Sequence, residues 1–163
     1  MIILGIDPGL AIMGYGVIEV KNYSMRVIDY GAVYTPSHTP VSSRLQMIYD
    51  GMRELFKKFN PNEVAFEELF FNTNTTTAIN VAEARGVAIV VANQFTKNIY
   101  EFTPLQIKQA LTGNGRAEKK QVQYMVQHIL NLKEMPKPDD AADALAVAIC
   151  SGQTNKKVGN FKM

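Results

Sequence analysis

Only one cysteine, Cys150, stands among the 163 residues, and there is no tryptophan. A single thiol excludes any disulfide within the chain. Set at the end of the apolar run 144–149, Cys150 reads as a small buried hydrophobe, and a reducing cytoplasm is the default compartment. The two histidines are no richer in implication. His38 lies in a Ser/Thr/Pro loop and His128 in an amphipathic stretch, both expected at the surface, and neither has a partner at zinc-ligand spacing. No apolar stretch approaches the ~20 residues of a membrane span. The opening Met1-Ile2-Ile3-Leu4-Gly5-Ile6 has no basic segment before it and runs straight into Asp7, so it reads as a strand and not a signal peptide. Internal repeats and low-complexity tracts are lacking as well.

What is present suits one globular domain over 1–150 followed by a basic flexible tail, 151–163. Hydrophobic residues make up 47% and charged residues 20%, enough for a core without staples. A net charge of +2 says little, but its distribution says more. Between Leu105 and Lys133 five basic residues (Lys108, Arg116, Lys119, Lys120, Lys133) face one acid, Glu118, and the tail adds Lys156, Lys157 and Lys162. The rest is net acidic, and a basic region set against an acidic one suits a polyanion partner.

Hydrophobic periodicity predicts strands at 2–6, 15–20 and 25–34, with glycines 9, 14 and 16 punctuating the first connection. A helix is expected from about Pro40 to Phe59, where Leu45, Ile48, Met52, Leu55 and Phe59 recur at three and four, and Asn60-Pro61 stops it. A fourth strand follows at 63–69, then a polar loop 72–76 and a small-residue helix to about Asn93. The fifth strand is expected at 99–102, and Thr103-Pro104 reads as an N-cap with proline at the first helical position. Helices at 118–130 and 139–149 complete an α/β domain with a mixed five-stranded sheet, its antiparallel trio first, flanked by helices.

Carboxylates carry the chemistry. Asp7 ends a buried strand and is followed by Pro8-Gly9; alone it would be read as a turn cap. Glu67 and Glu68 interrupt a strand that otherwise wants burial, and buried acids are rare unless paired or metal-bound. Asp140 and Asp143, three apart, share one face of the last helix, and Ala141, Ala142, Ala144 and Ala146 let that helix approach a sheet closely. Capping in the first turn explains two acids there but not the small residues around them. Acids gathered from distant segments repel one another, and a hard divalent cation such as Mg²⁺ or Mn²⁺ resolves the repulsion.

In order and spacing, Gly5-Ile6-Asp7-Pro8-Gly9, Gly14-Tyr15-Gly16-Val17, Phe66-Glu67-Glu68-Leu69-Phe70, Ala84-Arg85-Gly86-Val87, residues 113–119 and 140–146 resemble the RuvC-type Holliday-junction resolvases. The resemblance runs from Ile2 to about Cys150. It implies a ribonuclease-H-like fold and a homodimer that cleaves four-way DNA junctions by paired nicks in recombination and repair. It implies Mg²⁺ as cofactor, two ions per site with Mn²⁺ substituting, and a branch-migration motor as partner. Carried across by motif, Asp7, Glu67, Asp140 and Asp143 correspond to metal ligands. Lys119 corresponds to the basic residue at the scissile phosphate, and Lys108 to a further basic contact. Phe70 corresponds to the aromatic that stacks on or wedges into junction bases, and Asn74 to a polar loop position facing DNA. Arg116 and Lys120 are expected to contact DNA from the same basic segment.

Alternatives stand beside this reading. Only strand alternation and motif register select Glu67 over Glu68, and Phe71 competes with Phe70. Phosphate-binding ATPases and sugar kinases also open on a strand, an aspartate and a glycine turn, but they need two such domains. A binding-only junction module has no use for all four acids. A nuclease of the same fold acting on RNA or on other branched DNA would keep them, and here the Phe70 loop and the basic segment favour branched DNA.

Overall fold

The antiparallel trio expected at the start of the chain builds one half of the sheet. Strands β1 (Ile2–Asp7), β2 (Ile12–Lys21) and β3 (Ser24–Tyr34) pair in sequence as antiparallel neighbours. The computed structural model describes residues 1–22, 24–69, 75–154, 156 and 161–163, with the backbone alone at 75 and 76. Helix α1 (Val41–Phe59) carries the chain over one face to β4 (Glu63–Glu67), which lies parallel to β1. Helix α2 (Thr75–Phe95) leads to β5 (Ile99–Phe102), parallel to β4, and the strand order is β3-β2-β1-β4-β5. Three helices follow: α3 (Pro104–Thr112), α4 (Lys119–Ile129) and α5 (Asp139–Gln153).

Local chemistry accounts for the boundaries. Thr103 caps α3 as expected: Gln106 N donates to Thr103 Oγ1 at 3.1 Å, and Thr103 N donates to Gln106 Oε1 at 2.8 Å. Asn60 ends α1 in the left-handed conformation at φ 44°, which asparagine tolerates. β2 starts three residues before the expected strand, so Gly14 as well as Gly16 lies inside it, and the two pair with Asp7 and Gly5. β4 stops at Glu67, two residues short of the expected end, because the chain leaves the sheet there.

Strand alternation divides two cores. Leu4, Ile6, Val17, Val64 and Phe66 face α1 and α2. Ile3, Ile18, Ala65 and Phe102 face α3, α4 and α5. Cys150 is buried in the second core, as its apolar setting implied, and burial pushes its thiol up to about 11. His38 and His128 are exposed, also as expected.

The tail corrects the expected boundary at 150. α5 continues to Gln153, and Ser151 in it is fully buried, its Oγ donating to Glu63 Oε1 at 2.9 Å. Lys156 pairs with the same glutamate. Further on, Phe161 stacks on Phe102 at 5.3 Å and Lys162 bridges Tyr100 in antiparallel fashion. A lysine-rich composition suggested a free tail, but Lys156 meets the buried acid Glu63 of β4, and Phe161 and Lys162 meet β5. No described helix is long and apolar enough to cross a membrane.

α5 sits almost on the strand backbone. A Cβ on Gly5 would lie 2.1 Å from the Ala144 carbonyl oxygen, and one on Gly14 2.1 Å from that of Asp140. Both obstacles are backbone, so neither can swing aside. Gly5→Ala is therefore expected to cost about 3 kcal/mol or more through overpacking. Urea unfolding measures it; a midpoint equal to the parent's would show that α5 can ride higher.

Candidate active site

Each acid owes its place to the end of an element. Asp7 is the last residue of β1 and, by alternation with Ile3 and Gly5, faces α5. Glu67 is the last residue of β4, in phase with Ala65 and with Glu63, which meets Ser151 of α5. Glu68 lies past the strand, its backbone N–H bonded to Phe102 O at 2.9 Å. Of the two glutamates that strand alternation left to choose between, Glu67 lines the cleft and Glu68 does not. Asp140 and Asp143 come from the first turns of α5, which the glycine contacts hold against β1 and β2.

The cleft encloses about 290 Å³. Glu67, Asp143, Lys108 and Lys119 supply its polar wall, and Pro104, Ile107, Val122 and Ala146 its apolar one. Lys119, at the start of α4, donates to Asp143 Oδ2 at 2.8 Å and stands 3.5 Å from Asp139 Oδ2. Asp139 went unremarked in the sequence. Its adjacency to Asp140 was visible, but its pairing with a lysine twenty residues earlier needs the tertiary fold. Arg116 and Lys120 are exposed and do not line this cleft. Phe70, Phe71 and Asn74 lie outside the described residues.

Electrostatics register the convergence of the acids. Burial, then the charges of Glu67, Asp143 and Asp140, push Asp7 up to about 8 against the pull of Lys119. Burial and then Asp143 push Glu67 up to about 7, opposed by Lys119 and Lys108. Burial also raises Asp143, although the Lys119 hydrogen bond works the other way. Partial burial pulls the Lys119 ammonium down, but its bond to Asp143 and the charges of Asp143 and Asp139 outweigh that and leave it raised. Among the described residues no three acidic or imidazole side chains already close on one point as a ligand cage. The acids instead share one electric field along the ends of two strands and a helix.

The sequence model of the family described as crossover junction endodeoxyribonuclease RuvC matches residues 3–151. That match spans all four acids. The chain belongs to this family. RuvC from Clostridioides difficile is 58% identical over 156 residues, covering 96% of this chain and 92% of that protein. RuvC from Alkaliphilus metalliredigens is 55% identical over 163 residues, 100% of this chain and 99% of its own. The solved structure of Thermus thermophilus RuvC in complex with a Holliday junction substrate superposes with a TM-score of 0.93 at 36% identity, over 100% of this chain and 99% of that one. The mixed sheet with helices on both faces is accordingly ribonuclease-H-like, as the RuvC resemblance implied.

Asp7 holds its proton more tightly in the fold, near pH 8, than in the unfolded chain, near 3.8. With chelator present, its contribution to stability is full below pH 4 and is lost as the pH rises to about 8. Asp7→Asn removes the titration. At pH 8.5 the variant is expected to melt about 5 °C above the parent, with the difference shrinking toward pH 5. Melting curves across that range decide it, and a variant that melts lower throughout would mean that Asp7 is charged and compensated.

Proposed function

We propose that this acidic cleft cuts the strands of four-way DNA junctions in paired symmetric nicks, as a homodimer, in homologous recombination and DNA repair. The observation that carries the reading is geometric: Glu67 and Asp143 line one cleft with Lys108 and Lys119, Asp7 ends the neighbouring strand β1, and Lys119 pairs with Asp143 at 2.8 Å. Four oxygen-donor side chains with no imidazole or thiolate fit hard cations, Mg²⁺ first with Mn²⁺ as substitute. Asp7, Glu67, Asp140 and Asp143 would hold them, two per site. Bound there, the pair would supply an activated water and stabilise the leaving oxygen of an in-line phosphoryl displacement.

The chain's own residues do the rest. Lys119, held at the cleft by Asp143 at 2.8 Å, would pair through its ammonium with a non-bridging oxygen of the scissile phosphate. Lys108 faces Glu67 across the same cleft and anchors the strand beside it. Arg116 and Lys120, exposed near the start of α4, meet phosphates farther out. Phe70 and Asn74 complete the DNA surface by the family resemblance, and a branch-migration motor is the implied partner assembly. One cleft makes one cut, so symmetric nicks across a two-fold junction call for two copies of the chain.

A synthetic mobile four-way junction tests this. Symmetric nicks are expected with Mg²⁺ or Mn²⁺, and none in Asp143→Asn, whose junction binding persists. No cutting by the parent chain with either ion would sink the proposal. Lys119→Ala is expected to lower cleavage about a hundredfold or more while binding changes little. Equal loss in both would make Lys119 a phosphate anchor only.

A further inference from the structure

A second cleft, of about 380 Å³, meets the acidic centre at Asp140. Its other walls are loop residues 9–12, Arg44 of α1, and Thr77, Asn80 and Val81 of α2. The first cleft is walled by α3, α4 and α5 with Glu67 of β4, the second by the loop after β1, α1 and α2, and Asp140 of α5 borders the second. Among the residues lining the second cleft, Arg44 is the only cation.

Arg44 is held by a chain of hydrogen bonds that reaches the loop following Asp7. Its Nε donates to Thr35 Oγ1 at 2.8 Å, and the Thr35 hydroxyl donates to Leu10 O at 2.5 Å. Thr35 N donates to Ala11 O at 3.0 Å, and Thr35 itself is 6% exposed. This clamp fixes the guanidinium relative to the acidic strand end. Nε is the only nitrogen of that guanidinium with a partner among the described residues, and Arg44 forms no ion pair with Asp140 or with any other described acid. Four N–H donors in a fixed fork are left facing a cleft that one carboxylate borders, an arrangement matched to a phosphate.

A DNA strand whose scissile phosphate lies at the acids must leave the site on both sides. On one side Lys108 and Lys119 receive it. On the other it enters the second cleft, where Arg44 is the cation among the residues that line it. We propose that Arg44 binds a backbone phosphate next to the scissile one on the cut strand and sets that strand's register across the acids. The proposal rests on the junction-cleaving reading above.

The test replaces single phosphates flanking the cut with neutral methylphosphonates, in a junction offered to the parent chain and to Arg44→Ala. In the parent, one neutralised position is expected to slow cleavage about tenfold to a hundredfold, the worth of a hydrogen bond to a charged group. In Arg44→Ala, already slowed by a similar factor, that same neutralisation is expected to cost nothing more. Neutralisation costing as much in the variant as in the parent at every position would overturn the proposal and leave Arg44 a clamp for Thr35. If Arg44→Ala does not fold, Arg44→Gln keeps an amide donor for Thr35 without the charge, and the same cycle applies. Junction binding without divalent metal is read alongside, so a parent that binds but does not cut fails the cleavage reading while the cycle still reports on Arg44.

Discussion

Helix α5 rests on bare strand backbone, and the acidic centre depends on that contact. Where Gly5 and Gly14 offer no side chain, the carbonyls of Ala144 and Asp140 come within about 2 Å of where a Cβ would sit. The alanines of α5 keep the helix equally slim on its own side, and all of them are buried. A helix normally stands about 10 Å from its neighbour because side chains interleave between the axes. Here that layer is almost absent, so acids in the first turns of α5 are carried to the ends of β1 and β4.

The same contact creates an electrostatic debt in the protein. Asp7, Glu67 and Asp143 are taken from water and set facing one another, and both burial and mutual repulsion push their protons back on. Lys119 neutralises one edge of the cluster and no more. A cleft built this way is unfavourable for the bare fold, a site the fold does not need for stability. By contrast, Glu63 is more deeply buried than these acids but meets Ser151 and Lys156.

Two clefts bring their cations from different elements. Helices α3, α4 and α5 bring Lys108 and Lys119 to one side of the acids, while α1 and the loop after β1 bring Arg44 to the other. Arg44 was legible in the sequence only as a polar position on an amphipathic helix. Its orientation depends on Thr35, which lies nine residues away at the end of β3 and bonds back to Leu10. Such a three-element relay leaves no periodic trace. The docked C-terminal residues were hidden for a similar reason: Phe161 and Lys156 find partners in β5 and β4, far from them in sequence.

By itself the sequence determined the element order, the antiparallel trio and the acids. Each follows from short-range physics: period-two alternation, helical spacing, a Thr-Pro cap, and carboxylates standing where apolar residues belong. The family motifs added roles for those acids. The tertiary structure decided which of two adjacent glutamates faces the cleft, since β4 ends at Glu67 and the alternation ends with it. It also decided that Gly14 is a strand residue beneath a helix, where composition suggested a turn. Pairing register and the approach of a distant helix are set by contacts across the whole chain, and no local window of sequence contains them.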